Sequence, residues 1–552
     1  VSDDNGIERR HGWLPGPYGE ALAVKWFEPR TVSGATVLLV RSVGHEDDAT
    51  THGVHHAAWV LAAAGHPTVL LNLSGTGQSF GVLDADAPSR WIDEVASVVV
   101  RLAGGASSGL VVGGHRLGAL VAAHALARPE VPRPGAVLLW HLPASGRRFV
   151  RELRIMAAAQ PVSSGAVAGS DGLQVGAHRY GAGLLAAFDA LPGPPAMASG
   201  VPVHVVAPIR TVVVPAVVDA LGAAGAAVTT ATDSEDWVAA GGIDDLVLPA
   251  ATAASFAARL TAVPASSARS AGDAGLCTVV ASPDGAIVEE MVGIGDGHLT
   301  GVLSRPPDHV PATVLVLLSA RGPGNAFIET ARAQAAAGRA ALRFDLSGFG
   351  MNPARAGHQP GEIYTATAAH DVTLGIDEVH RRGHARAVVV GFCAGGWAAL
   401  RARPLVAPAV VVAINVELFA RNRAWMRPRV DASSARRTLI RTHATFRKVA
   451  RRYHLRPAAV GWINALVKRG SQVELLYDVH DAGYVYFRAS VERHLRRVRD
   501  TGRLRVTAFP ALGHLTEGPD APAMLAHLAS VVDRVASAAP AGTGAPVRSP
   551  PS

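Results

Sequence analysis

Short runs of aliphatic and β-branched residues alternate along this chain with longer Ala-rich stretches in which apolar positions recur every three or four residues. The short runs read as buried strands and the longer stretches as helices, an alternation that predicts a mostly parallel sheet covered on both faces. In the second half of the chain the runs predict strands at 287–293, 298–303, 313–319, 340–345, 387–392, 409–415, 472–477 and 504–509. The stretches between them predict helices near 325–337, 362–382, 396–403, 484–500 and 521–537. The first two strands are close enough in sequence to pair antiparallel at a sheet edge. Loops after the remaining strands then gather on one rim, where ligands bind in open α/β sheets.

The pattern is written twice. Ala35–Val40 matches Ala312–Leu317 at an offset of 277, and Asn72-Leu73-Ser74-Gly75-Thr76-Gly77 matches Asp345-Leu346-Ser347-Gly348-Phe349-Gly350 at 273. Val111–Gly118 matches Val388–Gly395, again at 277, with Arg116 facing Cys393. Repeats at one period predict a tandem arrangement. The expected division is a first domain over 1–262, a small polar linker over 263–273 and a second domain over 274–537. The tail 538–552, rich in Pro, Gly, Ala and Ser, is expected to be disordered.

Composition narrows the class. Of 552 residues 49% are hydrophobic and 17% charged, which suits a globular chain with two buried cores. Two cysteines, Cys277 and Cys393, form no disulfide framework and no metal-like cluster, so neither metal nor cofactor is expected. No apolar stretch is long enough to span a membrane, and the polar start lacks a signal-peptide core. A reducing, cytoplasmic setting is the expectation. Cys277 sits near the linker without partners and reads as structural.

Candidate chemistry centres on Gly391-Phe392-Cys393-Ala394-Gly395, between an apolar run and a helix-forming stretch. This is the G-x-nucleophile-x-G turn of the α/β-hydrolase fold, with cysteine in the nucleophile place. In that fold an acid and then a histidine follow the nucleophile, each after a later strand. Here the strand at 472–477 runs into Asp478 and Asp481, and the strand at 504–509 runs into His514. Cys393, Asp481 and His514 therefore form a candidate Cys–His–Asp triad, with Asp478 a rival for the acid. The amino end of the helix after Cys393 favours the thiolate. Backbone N–H groups of Ala394 and of Ala320 or Arg321 are the candidate oxyanion hole. Such a triad would act on ester or thioester carbonyls, by hydrolysis or by acyl transfer.

The first copy lacks these parts. Arg116 stands at the nucleophile position and cannot act as one, because a guanidinium stays protonated. No carboxylate follows Val203–Val206, and Asp233, Ser234, Glu235 and Asp236 stand where a histidine would be needed. The first copy is thus expected to be non-catalytic. Arg116 is expected either to bind a phosphate or carboxylate or, more simply, to pair with Asp93 or Glu94. His115 reads as a packed neighbour.

Net charge is +8, and lysine contributes only Lys25, Lys448 and Lys468. Positive charge concentrates in residues 421–470, which hold 14 Lys and Arg against one acid, Asp431. This places +13 locally and leaves −5 on the rest of the chain. In α/β-hydrolases this connection forms a cap over the nucleophile. A cap bearing Arg436, Arg437, Arg451 and Arg452 suits an anionic small-molecule or carrier-bound acyl substrate, or peripheral contact with an anionic membrane surface. Aromatic residues are too sparse for a nucleic-acid stacking surface.

On these motifs the second copy resembles a group of bacterial α/β-hydrolases found beside exopolysaccharide and exosortase genes. Their elbow reads G-L-C-[SD]-G, and GFCAGG, YDVHDAGYVYF and FPALGHLTEGP are similar to their three site loops. The first copy resembles the companion exosortase-A-associated hydrolases, whose elbow G-L-R-x-G-A is matched from Gly114 to Ala119. The resemblance implies a fusion of two companion proteins and acyl-ester chemistry near surface-polysaccharide or secondary-metabolite synthesis. It supplies no substrate. The other reading is a non-catalytic binding module that uses the same pocket and cap to hold an anionic acyl carrier or glycan.

Overall fold

In the computed structural model, the described residues are 6–104, 107–159, 172–208, 217, 221, 226–231, 233, 248–265, 272–295, 297–319, 326–418, 457–514, 516 and 518–538. The expected tail, the core of the linker and most of the cap fall outside them, as do Ala320, Arg321, Arg436, Arg437, Arg451 and Arg452.

The central strands are continuous apolar runs because both of their faces are covered. Every residue of Thr36–Val40, Leu110–His115 and Val410–Ile414 is buried. Two sheets result. In the eight-stranded sheet the neighbours are, in order, Ile7–Pro15, Ala21–Pro29, Thr68–Leu71, Thr36–Val40, Leu110–His115, Ala136–Trp140, Val203–Pro208 and Ala227–Ala231. In the nine-stranded sheet they are Val279–Ala281, Val288–Ile294, Leu299–Arg305, Ala340–Asp345, Thr313–Ser319, Arg386–Phe392, Val410–Ile414, Gln472–Asp478 and Leu504–Phe509. Apart from the extra edge strand Val279–Ala281, the two orders are the same. In each, antiparallel pairs lead into a parallel remainder. This is the α/β-hydrolase fold, present once in each half.

Most predicted elements of the second half lie within two residues of those observed. The helix expected over 362–382 is shorter, Ala366–Arg381, because the Thr365 side chain caps it by accepting from Ala368 N–H at 3.2 Å. The helix expected over 484–500 is replaced by four short pieces, Ala482–Tyr486, the π-turn Phe487–Val491, Glu492–His494 and Arg496–Asp500. Its buried residues Phe487, Val491 and Leu495 lie four positions apart along these pieces and pack into the core. Within the predicted cap, Ala458–Lys468 is a helix.

The halves are stitched together. Trp13 and Cys277 exchange backbone hydrogen bonds of 2.8 and 2.9 Å, so the start of the second half bridges to a strand of the first. Cys277 is exposed and holds this place through its backbone. Trp13, Ala21, Ala23 and Phe80 pack with Ile287, Val302 and Ala335 in one shared apolar cluster. Arg332 lies 4.0 Å above the Phe80 ring and donates to the carbonyls of Gln78 and Ser79 at 3.1 and 3.2 Å.

Candidate active site

Strand Arg386–Phe392 ends at Cys393, and helix Ala394–Arg401 begins immediately after it. The turn between them is tight. Cys393 sits at φ 46°, ψ −111°, a conformation costly for a side-chain-bearing residue, with its N–H held by Ile414 O at 2.8 Å. A Cβ on Gly391 would lie 2.4 Å from Gly395 C and Gly396 N, so backbone fills the space that any side chain would need. The glycines of the motif are therefore steric requirements. They put a nearly buried thiol, 7% exposed, at the amino end of a helix and the carboxyl end of a strand.

The next two loops bring the other groups to the same rim. Asp481 follows strand Gln472–Asp478, and its Oδ1 accepts from Gly483 N–H at 2.7 Å, which opens helix Ala482–Tyr486 and fixes the carboxylate. Its Oδ2 lies 2.5 Å from His514 Nδ1. His514 follows strand Leu504–Phe509 and packs edge-on against Phe392, ring centroids 5.5 Å apart. Burial lowers the proton affinity of His514, but hydrogen bonds and charge from Asp481 and Cys393 outweigh it and push the imidazole up to about 11. The rival acid is occupied elsewhere: Asp478 accepts from Gly513 N–H at 2.8 Å and from His480 N–H at 2.7 Å.

Two residues without a sequence signal complete the surroundings. Asn415, at φ 44°, donates through Nδ2 to Gly513 O and His514 O at 2.8 and 3.0 Å and accepts from Asp478 N–H at 2.8 Å. It ties the histidine loop to the acid strand. Tyr364, at φ 59°, is buried with its hydroxyl 3.4 Å from Cys393 Sγ and donating to Glu417 Oε2 at 3.0 Å. Burial first, then the Cys393 and Glu417 charges, raise the phenol well above its ordinary value, so it remains a neutral hydrogen-bonding group. Tyr364 precedes the elbow by 29 residues and lies in a loop, which explains why spacing did not mark it. Of the candidate oxyanion donors, Ala394 heads the helix, where first-turn N–H groups lack intrahelical acceptors.

The elbow of the first half has the same backbone and different chemistry. Arg116 sits at φ 54°, ψ −125°, its N–H held by Trp140 O at 2.8 Å, and a Cβ on Gly114 would lie 2.6 Å from Gly118 C. Its side chain pairs with Glu46, through Nε at 3.0 Å and Nη2 at 2.7 Å, and with Glu152 at 2.5 Å. The expected partners were Asp93 and Glu94. They lie on helix Ala87–Ala103, where Asp93 pairs with Arg128 and Glu94 accepts from Ser74 N–H at 3.0 Å. The guanidinium instead reaches helices His45–Ala63 and Gly146–Ala159, which flank the rim. His115 is buried against Trp140 at 5.1 Å. At the place of the missing histidine, Asp233 accepts from Ala251 and Thr252 N–H at 2.7 and 3.1 Å, capping helix Ala250–Leu260. The loop after Val203–Pro208 and residues 234–236 lie outside the described residues.

No protein-family model and no curated protein sequence matches the chain. Solved structures do match at low identity. A Thermus thermophilus protein is 18% identical, the match covering 45% of this chain and 98% of the other, with a TM-score of 0.31. A Pyrococcus furiosus esterase is 12% identical over 48% of this chain and 96% of its own, TM-score 0.33. A lidless α/β serine hydrolase of Xanthomonas campestris is 15% identical over 46% and 97%, TM-score 0.28. Among the described residues no His, Cys, Asp and Glu group could hold a metal ion, and no helix is long and apolar enough to cross a membrane.

Proposed function

We propose that the second half is a cysteine-dependent hydrolase or acyltransferase of ester or thioester bonds, with Cys393 as nucleophile, His514 as base and Asp481 as the acid that orients it. The observation that carries this reading is the Asp481 Oδ2 to His514 Nδ1 contact of 2.5 Å, with Cys393 among the groups that raise the proton affinity of the imidazole. Asp481 accepts a hydrogen bond from Nδ1–H and stays ionised, which leaves Nε2 for the thiol. His514 already holds the Sγ proton as imidazolium, as its raised proton affinity favours, and the thiolate forms a C–S bond to the substrate carbonyl carbon. The oxyanion so formed is met by the Ala394 N–H and by donors of the 320–321 loop. Collapse breaks the bond to the leaving group, which takes the proton from His514. Water, activated by the same imidazole, then releases the acid and restores the thiol; an alcohol or amine in its place gives transfer.

On this reading the first half, 1–262, is a non-catalytic partner whose elbow keeps the backbone of an active site and fills it with an ion pair. The 421–470 segment is a basic cap that selects an anionic or carrier-bound acyl group. A free thiol nucleophile fits a reducing cytoplasmic compartment. The elbow motifs support a place among the exopolysaccharide-associated hydrolases, as a fusion of two companion types. The test is to incubate the full chain with p-nitrophenyl esters and an activated acyl thioester and to look by mass spectrometry for an acyl adduct. An adduct on the Cys393 peptide, absent in Cys393→Ala, supports the reading. No adduct and no turnover, with Cys393→Ala binding anionic acyl ligands as the parent does, would make the site a binding module.

A further inference from the structure

A second site is built where the halves meet. A cleft of about 180 Å³ is lined from the first half by Lys25, Arg41 and Asn72 and from the second by Ser319, Arg343 and Asp345. It sits at the carboxyl ends of Thr36–Val40 and Thr68–Leu71 in one sheet and of Thr313–Ser319 and Ala340–Asp345 in the other, the position at which such sheets bind ligands. The repeated turn that the triad leaves unused converges here: Asn72, Thr76 and Gly77 of the first copy and Asp345, Phe349 and Gly350 of the second all line it. The turn glycines make the room. A Cβ on Gly77 would lie 2.6 Å from Asn72 Nδ2, and one on Gly350 2.1 Å from Asp345 Oδ2.

The cleft holds more donors than the protein satisfies. Arg41 pairs with Asp47 at 2.8 Å and His178 with Asp48 at 2.7 Å, so these charges are matched. Lys25 Nζ is nearly buried and donates to the Met351 carbonyl at 2.9 Å. Asn72 Nδ2 and Arg343 Nη2 are buried without a hydrogen-bond acceptor, although Arg343 also pairs with Glu289 at 2.8 Å. Buried donors left unmade are costly, and a ligand acceptor would remove the cost. Burial, with Arg9 and Arg41 adding and Asp345 opposing, pushes the Lys25 ammonium well below its usual range; an anion beside it would reverse that. Asp345 also faces the cleft, with Oδ2 accepting from Met351 N–H at 3.0 Å, and its carboxylate disfavours a polyanion while accepting hydroxyls. A wider groove sharing Lys25, His52, His55 and Gly350 adjoins the cleft and offers a way in.

We infer that this inter-half cleft binds a small hydroxylated compound carrying one oxyanion group, a phosphate ester or a carboxylate. Lys25, Asn72 Nδ2 and Arg343 Nη2 hold the oxyanion, and the Asp345 carboxylate and Ser319 hydroxyl take the ligand's hydroxyls. The ligand touches both halves, so its binding also clamps them together.

Calorimetric titration of the full chain with glycerol phosphate, glycerate, inorganic phosphate and glycerol tests this, in the parent and in Cys393→Ala so that loss of acyl chemistry is read separately. The expected result is saturable binding of glycerol phosphate or of glycerate at or below about 1 mM, identical in Cys393→Ala, with uncharged glycerol silent. Comparison of the two anionic probes decides between phosphate and carboxylate. Lys25→Met is expected to weaken binding by roughly tenfold or more. Asn72→Leu provides a second test of the same donor set if Lys25→Met does not fold. Absence of binding by every anionic probe up to about 10 mM, glycerol binding as well as its phosphate, or affinity within about twofold of the parent in the folded variants would each overturn the assignment.

Discussion

Cys393 and Arg116 occupy the same backbone position in two copies of one strand–turn–helix, at φ 46°, ψ −111° and φ 54°, ψ −125°. The turn is held alike in both, by an N–H bond of 2.8 Å to the last carbonyl of the neighbouring strand and by a glycine two residues earlier that backbone crowds. What differs is the side chain and the groups that answer it: Asp481 and His514 around the thiol, Glu46 and Glu152 around the guanidinium.

Arg116→Met is therefore expected to act on stability alone. It leaves Glu46, whose side chain is 0% exposed, without its cation, and breaking such a pair costs about 3–5 kcal/mol. Urea unfolding should show the loss while the acyl adduct on Cys393 is unchanged. Parent-like stability would mean that Arg116 does not hold the rim.

The two aspartates separate by assay. Asp481→Asn should fold and lose on the order of 10³–10⁴ in turnover, because the amide no longer fixes the imidazole tautomer. Asp478→Asn should cost roughly 1–3 kcal/mol of stability through the Gly513 and His480 amides, with a much smaller loss of rate. The reverse order of rate losses would make Asp478 the acid.

Tyr364→Phe keeps the ring packed edge-on against Trp397 at 5.4 Å and removes only the hydroxyl near Sγ. The hydroxyl hydrogen is donated to Glu417, so Sγ loses only an ordinary hydrogen-bond contact of about 0.5–1.5 kcal/mol, which should slow acylation by up to roughly 10-fold with little change in KM. Single-turnover acylation rates are the measurement, and a parent-like rate would reduce Tyr364 to a packing role.

For His514 the folded state holds its proton more tightly than the unfolded chain, whose value is near 6.5. The stabilisation is thus fully present below about pH 6.5 and is lost as pH rises towards about 11. Unfolding free energy should fall across that window, less steeply in Cys393→Ala, where one of the two raising partners is gone. An imidazole NMR titration midpoint between 6 and 7 in the parent would contradict this.

Neutralising Arg436, Arg437, Arg451 and Arg452 to Gln should raise KM for an anionic acyl thioester and flatten its dependence on salt, leaving a neutral ester unaffected. Equal KM and equal salt dependence for the anionic substrate would remove the cap from substrate selection.

The sequence by itself determined both hydrolase folds, because fully buried parallel strands demand continuous apolar runs and the same runs recur at one offset. It also marked Cys393, Asp481 and His514, since each follows the end of its own strand and parallel strands deliver their ends to one rim. Boundaries were less legible where a cap or an altered turn intervened, at Thr365 and over Phe487–Val491. Which carboxylate meets His514, and which carboxylates meet Arg116, was decided by tertiary structure: Asp478 and Asp481 are three residues apart, and only packing shows that one serves backbone amides while the other reaches the imidazole. Tyr364 and the cleft between the halves were equally hidden, because Tyr364 reaches Cys393 from a loop 29 residues earlier and the cleft joins strands hundreds of residues apart, and such proximity depends on how loops, sheets and halves pack. Local pattern specifies elements and their ends; the distances between side chains on different elements are set by the packing that buries them.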